Sequence, residues 1–207
     1  MADPSNYPAV PCMPYAAIRD QVRTGDLLLC SGSSLFSTLI QYATDSIWSH
    51  VGLLFRLDRR YDRILVLESV ESVGVRPVPM SYYISAYNDT DVGYPGRVYI
   101  ARHAGFPLDG ARIITAAQNA VDSFGSHYYT KQETMGLAAR VVAEKLGMLA
   151  PPRASSRHFI CSEYVEPFLA SVGLTIPHGP WGFIAPADYP ACPDITFLWE
   201  LAVTRTA

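Results

Sequence analysis

Four short segments rich in valine, leucine and isoleucine, at residues 49–57, 64–70, 73–78 and 97–102, follow one another with turn residues between them. Runs of that length and composition suit the pleated surface of a sheet, and successive ones joined by turns read as an antiparallel meander. Leu27-Leu28-Leu29-Cys30, after the turn Thr24-Gly25-Asp26, adds a buried strand, and residues 195–203 add a last one.

Helical spacing takes over elsewhere. Residues 15–23 form a short helix. Ser31-Gly32-Ser33-Ser34 caps a second over residues 35–43, with Leu35, Leu39 and Ile40 on one face. Ile113, Ile114, Ala117, Val121 and Phe124 recur as one stripe across residues 108–124, and residues 132–146 read as a helix ending at Gly147. A further helix carries Cys161 and stops near Gly173. Strands grouped in one stretch and helices in others give an α+β class. Pro4, Pro8, Pro11 and Pro14 make residues 1–14 an extended arm, and residues 15–207 form a single domain without internal repeats.

Composition narrows the function classes. Hydrophobic residues make up 49% of the 207 and charged residues 17%, well under the roughly 25% charged of an average domain, so little of the chain is disordered. A net charge of −3 supplies no basic field for a phosphate backbone and argues against nucleic acid as a partner. The basic run at residues 56–63 is interrupted by Asp58 and Asp62 and reads as a solvated hairpin turn. No apolar run reaches the ~20 residues that span a bilayer, and the N-terminus lacks a basic-then-apolar leader. The expectation is a soluble, cytoplasmic protein. Cys12, Cys30, Cys161 and Cys192 show no CxxC spacing and no disulfide framework, so reduced thiols are expected.

Two motifs carry chemistry: Trp48-Ser49-His50-Val51-Gly52-Leu53 and Phe159-Ile160-Cys161-Ser162-Glu163-Tyr164-Val165. A thiol is a poor nucleophile until it ionises, and a nearby imidazole with a helix N-terminus favours the thiolate. Leu65-Val66-Leu67-Glu68-Ser69 supplies a carboxylate to orient the ring. A hairpin centred on Arg59 would set His50 and Glu68 directly opposite, with Cβ atoms ~5 Å apart. Each residue also has a plainer reading: Cys161 as a small buried hydrophobe, His50 as a satisfied core residue, Glu68 as a solvated strand end. The case for catalysis is their joint occurrence. Ser49 and Trp48, flanking the histidine, are candidate substrate contacts. Trp48, Tyr82, Tyr83, Tyr87 and Trp181 fit either a cleft lining or core packing. No second Cys or His lies at ligand spacing from His50 or Cys161, so no metal and no cofactor are expected.

These residues resemble the circularly permuted papain-like hydrolases of the YiiX and YaeF type, within the NlpC-like superfamily that also includes lecithin retinol acyltransferase-like proteins. The resemblance runs from Thr24-Gly25-Asp26-Leu27-Leu28-Leu29 through the His50, Glu68 and Cys161 motifs to Ile184-Ala185-Pro186-Ala187-Asp188. Histidine, then acid, then cysteine is the order of the permuted branch. The resemblance implies an antiparallel sheet or partial barrel packed against helices, with the cysteine at a helix start. It further implies His50 as general base, Glu68 as its orienting partner and Cys161 as nucleophile. Gly125-Ser126-His127-Tyr128 is similar to the segment whose tyrosine assists the oxyanion hole, with Tyr129 the alternative. Pro167 in the cysteine helix and Thr130 after the tyrosines depart from the pattern.

The expected activity is thiol hydrolysis of an amide or peptide-like bond. A peptide, amide or acyl-containing small molecule is the partner. Two alternatives stand beside it: a lipid acyl hydrolase or acyltransferase, and a non-catalytic binding module.

Overall fold

The computed structural model describes residues 6–57, 60–70, 73–107, 110–125, 160–179 and 183–205, together with residue 143. The chain is α+β, built on one seven-stranded, mostly antiparallel sheet. Its strands are β1 (Cys12–Met13), β2 (Leu27–Gly32), β3 (His50–Arg56), β4 (Ile64–Val70), β5 (Gly74–Pro79), β6 (Gly96–His103) and β7 (Ile195–Leu201). Their order across the sheet is β1-β7-β6-β2-β3-β4-β5. Only β1 with β7 is parallel among these pairs, Cys12 facing Glu200 within the stretch read as an extended arm. The opposite edge is β5, where Pro77 and Pro79 pair with Leu67 and Leu65.

The helices are α1 (Tyr15–Ile18), α2 (Leu35–Thr44), α3 (Met80–Ser85), α4 (Gly110–Asp122), α5 (Cys161–Ser171) and α6 (Asp188–Ala191), with 3₁₀ turns at Arg19–Gln21 and Tyr87–Asp89. Of the expected helix at 132–146, residue 143 alone is described, and it is helical. Alternation along the strands sends side chains to both faces. Leu27, Leu29, Val51, Leu53, Leu67, Tyr99 and Ala101 pack with Ala116 and Ala120 of α4 and with Val165, Phe168 and Leu169 of α5. Leu28, Leu54, Ile64, Val66, Val98 and Ile100 pack with Ile18, Val22, Met80 and Tyr83. Each fully buried aliphatic side chain contributes roughly 1.5–3 kcal/mol, so both layers hold the sheet rigid beneath whatever it carries.

Ser34 caps α2 by accepting the Ser37 N–H at 3.1 Å, and Asp45 ends the helix in the left-handed region at φ 51°. Of the expected apolar stripe, Leu39 and Ile40 are half-buried, whereas Leu35, at the first helical position, is 93% exposed. Ser37, Ala43 and Thr44 are the fully buried residues of α2.

Candidate active site

His50 opens β3 and Glu68 lies on the neighbouring β4. Their ladder runs from Arg56↔Ile64 to Leu53↔Leu67, and the Leu57 N–H closes the loop on Arg63 O at 2.9 Å. The hairpin is therefore centred on residue 60, which corrects the expected centre at Arg59 and places Gly52 in line with Glu68. A one-residue change of centre moves the partner by two positions and so keeps His50 and Glu68 on one face. They meet diagonally, with Nε2 of His50 2.9 Å from Oε2 of Glu68. Gly52 beside them has no room for a side chain, because a Cβ there would lie 2.8 Å from Val66 Cγ1.

The gap for Cys161 opens where this ladder stops. Leu54 exchanges hydrogen bonds with the β2 side, donating to Asp26 O at 2.7 Å and accepting from Gly25 N at 2.9 Å. By alternation Val51 points its N–H the other way, beyond the last β3–β4 pair. That N–H goes to the Cys161 sulfur, as does the N–H of Ser162. Cys161 is the first residue of α5. Ser162 Oγ donates to Ile184 O, and Tyr189 OH donates to Ser162 O, both at 2.7 Å, which fixes the helix start. Glu163 reaches back to the Ile160 N–H at 3.5 Å. Pro167 sits inside the helix, which continues to Ser171.

Electrostatics make the constellation a chain of alternating charge. Burial opposes a charged ring at His50, but Cys161 and, behind it, Glu68 push its pKa from 6.5 up to about 10. Burial would raise the Cys161 thiol. The His50 imidazolium, the hydrogen bond from its ring and the two backbone N–H groups outweigh burial and hold the thiol below its ordinary value. With Nε2 engaged by Glu68, Nδ1 is the nitrogen left for the sulfur. Burial would likewise raise Glu68, which is 0% exposed. Hydrogen bonding and charge from His50, then Tyr83, then Arg76 hold it down as a carboxylate.

Of these groups, Arg76 was missed in the sequence and Tyr83 was read only as a cleft-lining or core aromatic. Arg76 Nε donates to Glu68 Oε1 at 3.0 Å, and Tyr83 OH donates to Glu68 Oε2. The signal for Arg76 was present: Val70↔Gly74 closes a tight turn, which sets Arg76 directly across from Glu68. Tyr83 comes from α3, an element the strand pattern gave no hint of. Tyr82, just before it on α3, accepts from Arg76 Nη2 at 3.2 Å and donates to Asn88 Oδ1 at 2.7 Å.

The flanking candidates occupy different surroundings. Ser49 Oγ is buried, accepts from the Gly32 N–H at 3.0 Å and donates to Cys30 O at 3.3 Å. Trp48 is buried too, stacked on Phe197 with ring centroids 5.1 Å apart and edge-on to Tyr99 at 5.3 Å. Tyr128 and Tyr129 lie outside the described residues. All four cysteines are free thiols, with Cys12 exposed and the other three buried.

Among the described residues, one group of metal-capable side chains clusters, formed by His103, Cys192 and Asp194. None of the His50, Glu68 and Cys161 set belongs to it. No helix among the described residues is long and apolar enough to cross a membrane.

No protein-family model and no curated protein matches this sequence. Among solved structures, the chain is similar to metalloprotein yiiX from Escherichia coli O157:H7, with a TM-score of 0.60 and 19% sequence identity. The match covers 87% of this chain and 98% of that one. At this identity the likeness shows a shared, YiiX-like fold.

Proposed function

We propose that this chain is a cysteine hydrolase of amide or peptide-like bonds on a permuted papain-like fold. The observation that carries the reading is the half-buried His50 ring held between the Glu68 carboxylate and the Cys161 sulfur, with its pKa raised to about 10 while the thiol is lowered. Such opposed shifts describe a thiolate–imidazolium pair at neutral pH. The order of the three residues along the chain and the YiiX-like fold add support.

In this reading the Cys161 thiolate attacks the carbonyl carbon, and the electron pair of the C=O bond moves to oxygen. Collapse of the tetrahedral intermediate breaks the C–N bond as the His50 imidazolium protonates the departing amine, leaving a thioester. Neutral His50 then takes a proton from water, hydroxide character adds to the thioester, and the carboxylic acid leaves with regeneration of the ion pair. Glu68 stays ionised throughout and fixes the ring. The helix N-terminus favours negative charge at both sulfur and oxyanion.

The test is the pH dependence of iodoacetamide labelling at each cysteine, read by peptide mass spectrometry in the native chain and in His50→Ala. Cys161 is expected to react fast in mildly acid buffer and to lose that advantage without His50. Exposed Cys12 serves as the ordinary thiol, Cys161 keeps 9% exposure, and unreacted Cys30 and Cys192, at 0% and 3%, report that the variant is folded. Labelling of Cys161 like a thiol of pKa ~8.5 in the native chain overturns the proposal. Release of amine from dipeptide amides, set against release of fatty acid from acyl esters, then separates the amide reading from the lipid one.

A further inference from the structure

We propose that His103, Cys192 and Asp194 form a second site that holds a zinc-class divalent ion with one coordination position open. His103 ends β6, and Cys192 and Asp194 lie in the turn between α6 and β7. The sheet brings them together: His103 is the register partner of Ile195, the Ala104 N–H donates to Asp194 O at 2.8 Å, and the Ile195 N–H donates to Cys192 O at 3.1 Å. One donor atom from each side chain lies within 4.8 Å of the other two. Tetrahedral zinc, with bonds of ~2.0–2.3 Å, sets its donors ~3.3–3.7 Å apart. Small side-chain rotations on a rigid backbone close that difference.

The donor types select the ion. An imidazole nitrogen, a thiolate and a carboxylate suit zinc or its softer first-row neighbours, and a thiol disfavours calcium or magnesium. His103 and Cys192 are 5% and 3% exposed, whereas Asp194 is exposed, so the site is walled on two sides and open on the third. Three protein ligands leave the fourth position to water or a small ligand. Nearby positive charge is already matched, because Arg102 grips Asp26 through two hydrogen bonds of 2.6 and 2.8 Å.

Proton balance is simple. Cys192 gives up its S–H proton to solvent as the sulfur–metal bond forms. The Gly105 N–H donates to His103 Nδ1 at 3.1 Å, so the metal-free ring carries its proton on Nε2. Loading through Nδ1 replaces the Gly105 bond and leaves the proton on Nε2, whereas loading through Nε2 moves the ring proton to Nδ1 and so also ends the Gly105 bond. This site is independent of the hydrolase reading. A structural link runs to Cys161: Cys192 follows the helix that carries Tyr189, whose hydroxyl holds Ser162, and both cysteines belong to one core cluster.

The experiment strips the purified chain with a chelator, adds back zinc or cobalt(II), and reads three signals: bound zinc per chain by elemental mass spectrometry, the near-ultraviolet thiolate-to-cobalt absorption band, and the unfolding midpoint. The native chain is expected to bind one zinc, to show the cobalt band and to gain unfolding temperature with zinc. Cys161→Ser should keep all three. Cys192→Ser should lose the band, and Asp194→Asn should weaken zinc by about tenfold or more. Asp194 is exposed, so this variant decides the matter should Cys192→Ser fail to fold. Absence of stoichiometric zinc, Asp194→Asn binding as tightly as the native chain, or a cobalt band lost in Cys161→Ser overturns the assignment.

Discussion

Replacing Glu68 with glutamine keeps the side-chain shape and an oxygen for the His50 ring while removing the charge. The two groups are 2.9 Å apart, with 13% of the His50 side chain and none of the Glu68 side chain exposed. With charge centres about 4 Å apart and an effective dielectric near 20, their attraction is about 4 kcal/mol. A neutral hydrogen bond to the amide returns about 1 kcal/mol, leaving ~3 kcal/mol, or about two pH units. The His50 transition should fall from about 10 in the native chain to ~8. Because folding raises this pKa from 6.5, the stability it contributes is fully present below pH 6.5 and is lost as pH rises through about 10. In Glu68→Gln that alkaline loss begins correspondingly earlier. The assay follows ring carbon shifts of ¹³C-labelled histidines by NMR against pH, with His50→Gln assigning one signal among five. Arg76→Met supplies the opposite sign: it leaves the local charge more negative and should not lower the His50 transition. A Glu68→Gln transition within half a unit of the native value, in a folded variant, refutes the electrostatic coupling.

Gly52→Ala places a methyl 2.8 Å from Val66 Cγ1, and overpacking of this kind should cost about 1–3 kcal/mol in urea unfolding. Asp26 is 1% exposed and also accepts the Arg23 N–H at 2.8 Å. Asp26→Asn should therefore destabilise the fold by roughly 3 kcal/mol, as removal of one partner from a buried ion pair does, while the Cys161 alkylation rate in the folded protein stays unchanged.

Much of the sheet was legible because its strands are short apolar runs with clear punctuation. The segment at 64–70 coincides with β4, and the expected strands at 49–57, 73–78 and 97–102 match β3, β5 and β6 to within one or two residues. Register was harder, for a physical reason. The loop from Leu57 to Arg63 is long and lacks a two-residue turn signal, so composition leaves its centre free to slide by one position. The slide preserved the face, and the meeting of His50 with Glu68 survived it. Leu35 misled because helical spacing identifies a face but not whether anything lies over its end. Arg76 went unseen, and Tyr83 was read as a cleft or core aromatic and not as a partner of Glu68, because the support of a buried carboxylate comes from across a turn and from a six-residue helix, neither of which leaves a periodic trace.

The sheet's outer strand β5 carries prolines at 77 and 79, two residues apart. Residues at that spacing direct their backbone nitrogens to the same side, and proline has no N–H to offer a further strand. Where these positions face outward, an added chain finds acceptors without donors. The polar network around Glu68 thus lies one strand in from a margin whose prolines offer no N–H to an added strand and whose Val75 carbonyl already accepts the Gly125 N–H at 3.1 Å, so association through that edge is disfavoured.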